Sequence, residues 1–163
     1  MAKISISLGS NIDRERHIRQ AITLLQQHFG DLTLSPVYQT AAVGFDGDDF
    51  LNLVVMFHCN DPVKEVVQSL KRIEDLMGRD RSLPKFSARS IDLDLLTYDL
   101  LELDEEGVQI PRREILKNAF VLKPLSDIMG DDVHPGVGKT YRQLWDEMKG
   151  SADRVENVAF SLE

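Results

Sequence analysis

Between Ile91 and Tyr98 the chain reads IDLDLLTY, an apolar run broken by two carboxylates. Alternation with a period of two predicts a strand, because successive side chains of a strand point to opposite faces. Asp92 and Asp94 then share one face, and Ile91, Leu93 and Leu95 share the other. The apolar face needs a sheet and a hydrophobic layer against it. The acidic face needs water or a positive partner, since burying unpaired carboxylates costs several kcal/mol.

The rest of the chain indicates which sheet this is. Lys3 to Ser10 (KISISLGS) alternates Ile4, Ile6 and Leu8 with serines and predicts a strand. Asn11 and Asp13 can cap the helix that follows, where Ile18, Ala21, Ile22, Leu25 and Phe29 recur at helical spacing up to Gly30. Leu32 to Thr40 is rich in β-formers, with Pro36 marking an edge or a bulge. Phe50 to Cys59 (FLNLVVMFHC) is the strongest interior strand. Asp61-Pro62 opens a second helix with Val63, Val66, Val67, Leu70, Ile73 and Met77 on one face and Gly78 after it. The order strand, helix, strand, strand, helix, strand predicts an α+β ferredoxin-like sandwich with an antiparallel sheet. Additional C-terminal helical elements are expected within Pro111–Ile128 and Thr140–Met148.

The 163 residues suffice for one domain, expected over 1–163, with one sizeable core. The net charge of −8 argues against a nucleic-acid or anionic-membrane partner. One cysteine, Cys59, excludes an internal disulfide framework. The first residues lack a signal-peptide pattern and no apolar run is long enough to span a membrane, so a cytoplasmic monomer is expected.

On a strand, Asp92 and Asp94 lie about 7 Å apart, a separation that lets them reach two cations roughly 3.5–4 Å apart. Hard cations such as Mg²⁺ take one or two carboxylates together with substrate phosphates. Alone, D-x-D reads more readily as two solvated aspartates on the exposed face of a sheet. From Lys71 to Ser90, however, six basic residues face three acidic ones, a locally positive segment leading into the acids. Basic side chains neutralise polyphosphate and metals bridge it, so the combination suggests phosphoryl or pyrophosphoryl transfer. GVGKT (Gly136 to Thr140) is a decoy, because a P-loop needs glycine where Val133 stands. His134, beside Pro135, reads as structural, and His17, His28 and His58 form no zinc spacing with Cys59.

Several blocks, in order, resemble the 6-hydroxymethyl-7,8-dihydropterin pyrophosphokinases of folate biosynthesis: ISLGSN, VYQTAAVGFDGDDFLNLVV, RIEDLMGRDR, RSIDLDLLTYD and AFVLKPLSDIMGDDVHPGVGKT. The resemblance spans roughly Ile4 to Leu144 and implies a ferredoxin-like fold. It also implies transfer of the β,γ-pyrophosphoryl group of ATP to the pterin hydroxymethyl oxygen, with release of AMP. Carried over by motif, Asp92 and Asp94 would bind two Mg²⁺ ions. Phe50 and Phe120 would sandwich the pterin, a geometry aromatic rings favour; ordinary core packing is the other reading of both. Thr40 and Asn52, with the backbone of Ala41, Ala42 and Val43, would read the pterin's polar edge, near Ser10 and Asn11. Glu74, Arg81 and Arg112 would meet the nucleotide. Arg79 and Arg89 would act on the phosphates from a loop closing over ATP.

The chain departs from the family pattern at Phe86 (usually Trp), Ala41 (often Pro), Arg112 (commonly His) and Asn118 (often Arg). Gly107 and Gln109 also stand where nucleotide contacts are common, and Arg112 and Lys117 are candidates to replace the missing charge. The departures bear on ATP binding and leave the metal and pterin signals intact. A diverged paralogue that binds pterin or nucleotide with weak transfer, or none, is the competing reading.

Overall fold

The computed structural model describes residues 1–40, 49–78, 91–105, 107–150 and 156–158. The chain runs β1 (Ala2–Ser10), α1 (Arg14–Phe29), β2 (Thr33–Leu34), β3 (Val37–Thr40), β4 (Phe50–Cys59), α2 (Val63–Leu76) and β5 (Asp92–Tyr98). It continues through a short hairpin, β6 (Leu103–Glu105) and β7 (Val108–Ile110), and a 3-10 turn at Arg113–Leu116. α3 (Ala119–Met129), α4 (Tyr141–Met148) and β8 (Glu156–Val158) complete it.

The main sheet has the order β5-β1-β4-β3-β8, with β2 also on β4, and every pairing is antiparallel. Each crossover through α1 and α2 skips one strand, as the split βαβ reading requires. α1 and α2 cover one face, burying Ile18, Leu25, Val66 and Leu70 against Ile4, Ile6, Leu53, Leu93 and Leu95. α3 and α4 cover the other, burying Leu122, Leu125 and Tyr141 against Val54 and Leu96. The C-terminal helices therefore build a second core, which explains why β4 is apolar on both faces.

Local expectations needed three adjustments. The Leu32–Thr40 run divides at Ser35-Pro36 into β2 and β3, because Pro36 has no N–H to give a ladder. Ser35 replaces that pairing: its N–H donates to Val54 O at 2.9 Å and its Oγ accepts from Val54 N–H at 2.9 Å. Asp13 stands at the N-cap of α1 in a left-handed conformation, and its carboxylate pairs with Arg16 at 3.0 Å instead of capping. α2 begins one residue later than expected, with Pro62 at the N-cap and no side-chain cap. Gly30 and Gly78 end α1 and α2 as expected, each at positive φ. Among the described residues no helix is long and apolar enough to cross a membrane.

Candidate active site

β5 is an outer strand, so among the described residues one edge of its backbone has no neighbouring strand in the main sheet. Two side elements satisfy that edge. The buried Glu74 of α2 accepts a hydrogen bond from Leu93 N–H at 2.9 Å, and the N–H of Arg112 donates to Leu96 O at 2.9 Å. Together with β7 they line a cleft of about 280 Å³ that includes Lys71, Glu74, Asp92, Asp94, Gln109 and Arg112. Asp92 and Asp94 are half-buried and share the sheet face that carries Leu96, as the alternation predicted.

The electrostatics of this edge are strained. Burial pushes the Asp94 carboxyl up to about 7, the charge of Asp92 adds to the rise, and the Arg112 guanidinium opposes it. Arg112 Nη2 lies 3.5 Å from Asp94, and its Nε lies 3.2 Å from Glu114. The residue that departs from the family pattern is thus held against the second aspartate. Among the described residues no group of three or more His, Cys, Asp or Glu side chains forms a ready metal cage. Two carboxylates with hard oxygen donors are the number Mg²⁺ takes when phosphates complete its shell.

Strand register extends this edge inward. Gly9 pairs with Asp92 on one side and with Asn52 on the other, and Asn52 pairs with Tyr38. Asp92, Gly9, Asn52 and Tyr38 therefore form one row across four strands on the α3 face. A Cβ on Gly9 would sit 3.1 Å from Asn52 Oδ1 and 3.8 Å from Phe50 Cδ1, so the glycine keeps the row open between acids and aromatics. Asn52 is buried, and its Nδ2 donates to Thr40 Oγ1 at 2.8 Å. Phe50 is half-buried one pleat from Asn52, and Phe120, also half-buried, lies in the first turn of α3 against the second core.

The structure thus brings Thr40, Phe50 and Asn52 together on one surface, with Phe120 on the helix that covers it. It groups Glu74, Asp92, Asp94 and Arg112 on the β5 edge. Glu74 accepts from the Leu93 N–H, which makes it a support of β5 as well as a cleft wall. Ala41, Ala42, Val43, Arg79, Arg81 and Arg89 lie outside the described residues. The sequence reading missed Gly9 and Tyr38. Tyr38 could not be singled out because its partner lies 89 residues away. Gly9 had a signal, a glycine inside an otherwise alternating strand, which often marks close approach. Ser10 ends β1 and Asn11 follows it, as expected, and both are buried. His134 is buried, and its Nδ1 accepts from Gly136 N–H at 3.0 Å, in keeping with a structural role.

A sequence model of the 7,8-dihydro-6-hydroxymethylpterin-pyrophosphokinase (HPPK) family matches residues 5–130. The chain belongs to this family. It is 35% identical over 127 residues to the 2-amino-4-hydroxy-6-hydroxymethyldihydropteridine pyrophosphokinase of Bacillus subtilis, covering 76% of this chain and 75% of that protein. It is 30% identical over 146 residues to the Aquifex aeolicus pyrophosphokinase of the same name, covering 88% of this chain and 91% of that one. Among solved structures it resembles the wild-type HPPK-DHPS of Plasmodium falciparum with SDX-DHP at a TM-score of 0.68. That match has 16% identity and covers 93% of this chain and 45% of the other, so it speaks for the HPPK fold alone.

Proposed function

We propose that this HPPK-family chain transfers the pyrophosphoryl group of ATP to 6-hydroxymethyl-7,8-dihydropterin, giving AMP and the pterin diphosphate, in folate biosynthesis. The carrying observation is the row Asp92–Gly9–Asn52, which aligns the acidic edge with the pterin-reading surface across two strand spacings. Two such spacings are about 10 Å. That interval suits a phosphate chain held at the acids and a hydroxymethyl group reaching over Gly9.

In this reading Asp92 and Asp94 would hold two Mg²⁺ ions, and bound Mg²⁺ would supply Lewis acidity toward the phosphate oxygens and the attacking hydroxyl. Phe50 and Phe120 take the two faces of the pterin. Asn52, oriented by Thr40, reads the ring's polar edge, with the backbone at Ala41, Ala42 and Val43. Glu74 fixes Leu93 and thereby the strand between the two aspartates. ATP would lie in the cleft along β5, where Arg112 is placed to meet its phosphates. The charges of Arg79, Arg81 and Arg89 neutralise the transferred group, as phosphoryl transfer demands. No strong base is required, because positioning and charge neutralisation carry most of the catalysis.

One observation favours the competing reading of a binding module. Arg112 already pairs with Asp94, so an ion must compete with it. The deciding experiment is AMP formation from ATP and Mg²⁺, with and without the pterin. Pterin-dependent AMP release establishes the enzyme. Pterin binding without AMP release establishes the module.

A further inference from the structure

α3 lies over the surface formed by β3 and β4, and one side chain ties the two layers. Tyr38 of β3 is buried, and its hydroxyl donates to Asp127 of α3. Asp127 also accepts from Lys123 Nζ at 2.7 Å, and that ammonium stands 5.7 Å from the centre of the Trp145 ring. Phe120 and Asp127 are seven residues apart, so they fall on one face of α3, two turns along. Tyr38 and Thr40 are two residues apart and share a face of β3. Tyr38 is also the cross-strand partner of Asn52, whose amide bonds Thr40.

We propose that Tyr38 and Asp127 form a positioning pair that sets the spacing of the pterin slot. Neither reaches the reacting atoms. Their bond fixes the helix bearing Phe120 against the strands bearing Phe50, Asn52 and Thr40, so both walls and the polar edge share one tether. A hydrogen bond from a buried phenol to a carboxylate suits this purpose, being directional and stronger than a neutral bond. Lys123, whose ammonium stands over the Trp145 ring, holds the carboxylate so that it does not swing away. Burial raises the Tyr38 hydroxyl above its ordinary range, and the Asp127 bond and charge add to the rise, so it stays a donor throughout the working pH range. The inference rests on the pterin-slot reading above.

The test uses the full chain carrying Tyr38→Phe, Asp127→Ala or Asp127→Asn. The pterin is titrated calorimetrically in the presence of Mg²⁺ and a non-hydrolysable ATP analogue. The analogue alone is titrated separately, and melting temperatures are recorded. Tyr38→Phe and Asp127→Ala should each weaken pterin binding about tenfold, the equivalent of about 1.4 kcal/mol. Binding of the analogue should stay within about twofold in both. Asp127→Asn keeps an oxygen acceptor and should recover most of the affinity lost in Asp127→Ala. Unchanged pterin affinity in Tyr38→Phe overturns the proposal. So does a parallel loss of pterin, nucleotide and thermal stability, which marks a purely structural bond. Because binding is read apart from AMP release, a parent protein that binds pterin without turnover sinks the pyrophosphokinase reading and leaves the positioning pair standing. A parent that does not bind pterin sinks both.

Discussion

The two halves of the site are built by different means. The proposed nucleotide edge rests on an outer strand, β5, whose backbone is finished by Glu74 and Arg112 and whose outward side chains include Asp92 and Asp94. The proposed pterin surface rests on inner strands and a covering helix, and its groups are aromatic rings and one buried amide. The acidic edge buries the Asp94 carboxyl and sets Asp92 beside it, so the charged form of Asp94 is destabilised while no cation is bound. The pterin surface is satisfied before any ligand binds, since Asn52 and Tyr38 already have partners. One half awaits charge and the other awaits shape. Variants on the first should therefore damage the chemical step, and variants on the second should damage binding.

The largest expected effect is at the aspartates. Asp92→Ala or Asp94→Ala should lower kcat by about a thousandfold or more, because on the proposed reading each removes a metal ligand worth roughly 4 kcal/mol to the transition state. Circular dichroism should remain that of the parent. Mg²⁺-dependent turnover at the parent rate in both variants would remove the metal role and, with it, the contrast between the halves.

Next come the aromatic walls. Phe50→Ala and Phe120→Ala should weaken pterin binding about ten- to a hundredfold, through loss of roughly 1–3 kcal/mol of stacking. Binding of an ATP analogue should not change. Calorimetric titration of both ligands decides it, and parent-like pterin affinity in both variants returns the two rings to ordinary core packing.

Gly9 lies on the boundary between the halves. A methyl group there would stand 3.1 Å from Asn52 Oδ1, so the amide must shift by a few tenths of an ångström. That shift loosens its bond to Thr40 while leaving Asp92 on the opposite side of the strand pair. Gly9→Ala should therefore reduce kcat/KM for the pterin by about tenfold, the size expected for one hydrogen bond and slight misplacement. KM for ATP should hold. If ATP suffers as much as pterin, the row across the sheet is a single unit and the division proposed above is wrong.

Much of this was legible in the sequence because the information was local. The alternation around Asp92 and Asp94 predicted their shared face, and the order of strand and helix patterns predicted the sheet. The second core was less visible: Val54 and Leu96 read as generic apolar positions, and only α3 and α4 show what they face. Pairings distant in sequence were not legible. Tyr38 with Asp127 depends on how α3 crosses the sheet, and Glu74 with Leu93 depends on which strand ends at the edge. Arg112 read as a departure able to restore charge, but its pairing with Asp94 rests on the turn after β7.

The smallest expected effect concerns stability in the absence of metal. In the folded protein Asp94 ionises near pH 7, well above the ordinary carboxylate value of 3.8. Between these two values the folded state binds more protons than the unfolded state, so stability falls as pH rises through the window. Asp94→Asn cannot ionise and escapes this loss. With EDTA present, the variant should melt above the parent at pH 8, and the gap should narrow as pH falls through this window and close only below 3.8. The side chain is 31% exposed, so solvent screening limits the gain to about 1 kcal/mol. For a chain of this size that is roughly 2–4 °C. Adding Mg²⁺ with an ATP analogue at pH 8 should reverse the order, because the parent then gains a ligand-bound state that the variant cannot support. Identical pH profiles for the two proteins in EDTA would mean that neither burial nor the Asp92 charge burdens the Asp94 carboxylate. The acidic edge would then be as relaxed before binding as the pterin surface, and the contrast between them would rest on side-chain chemistry alone.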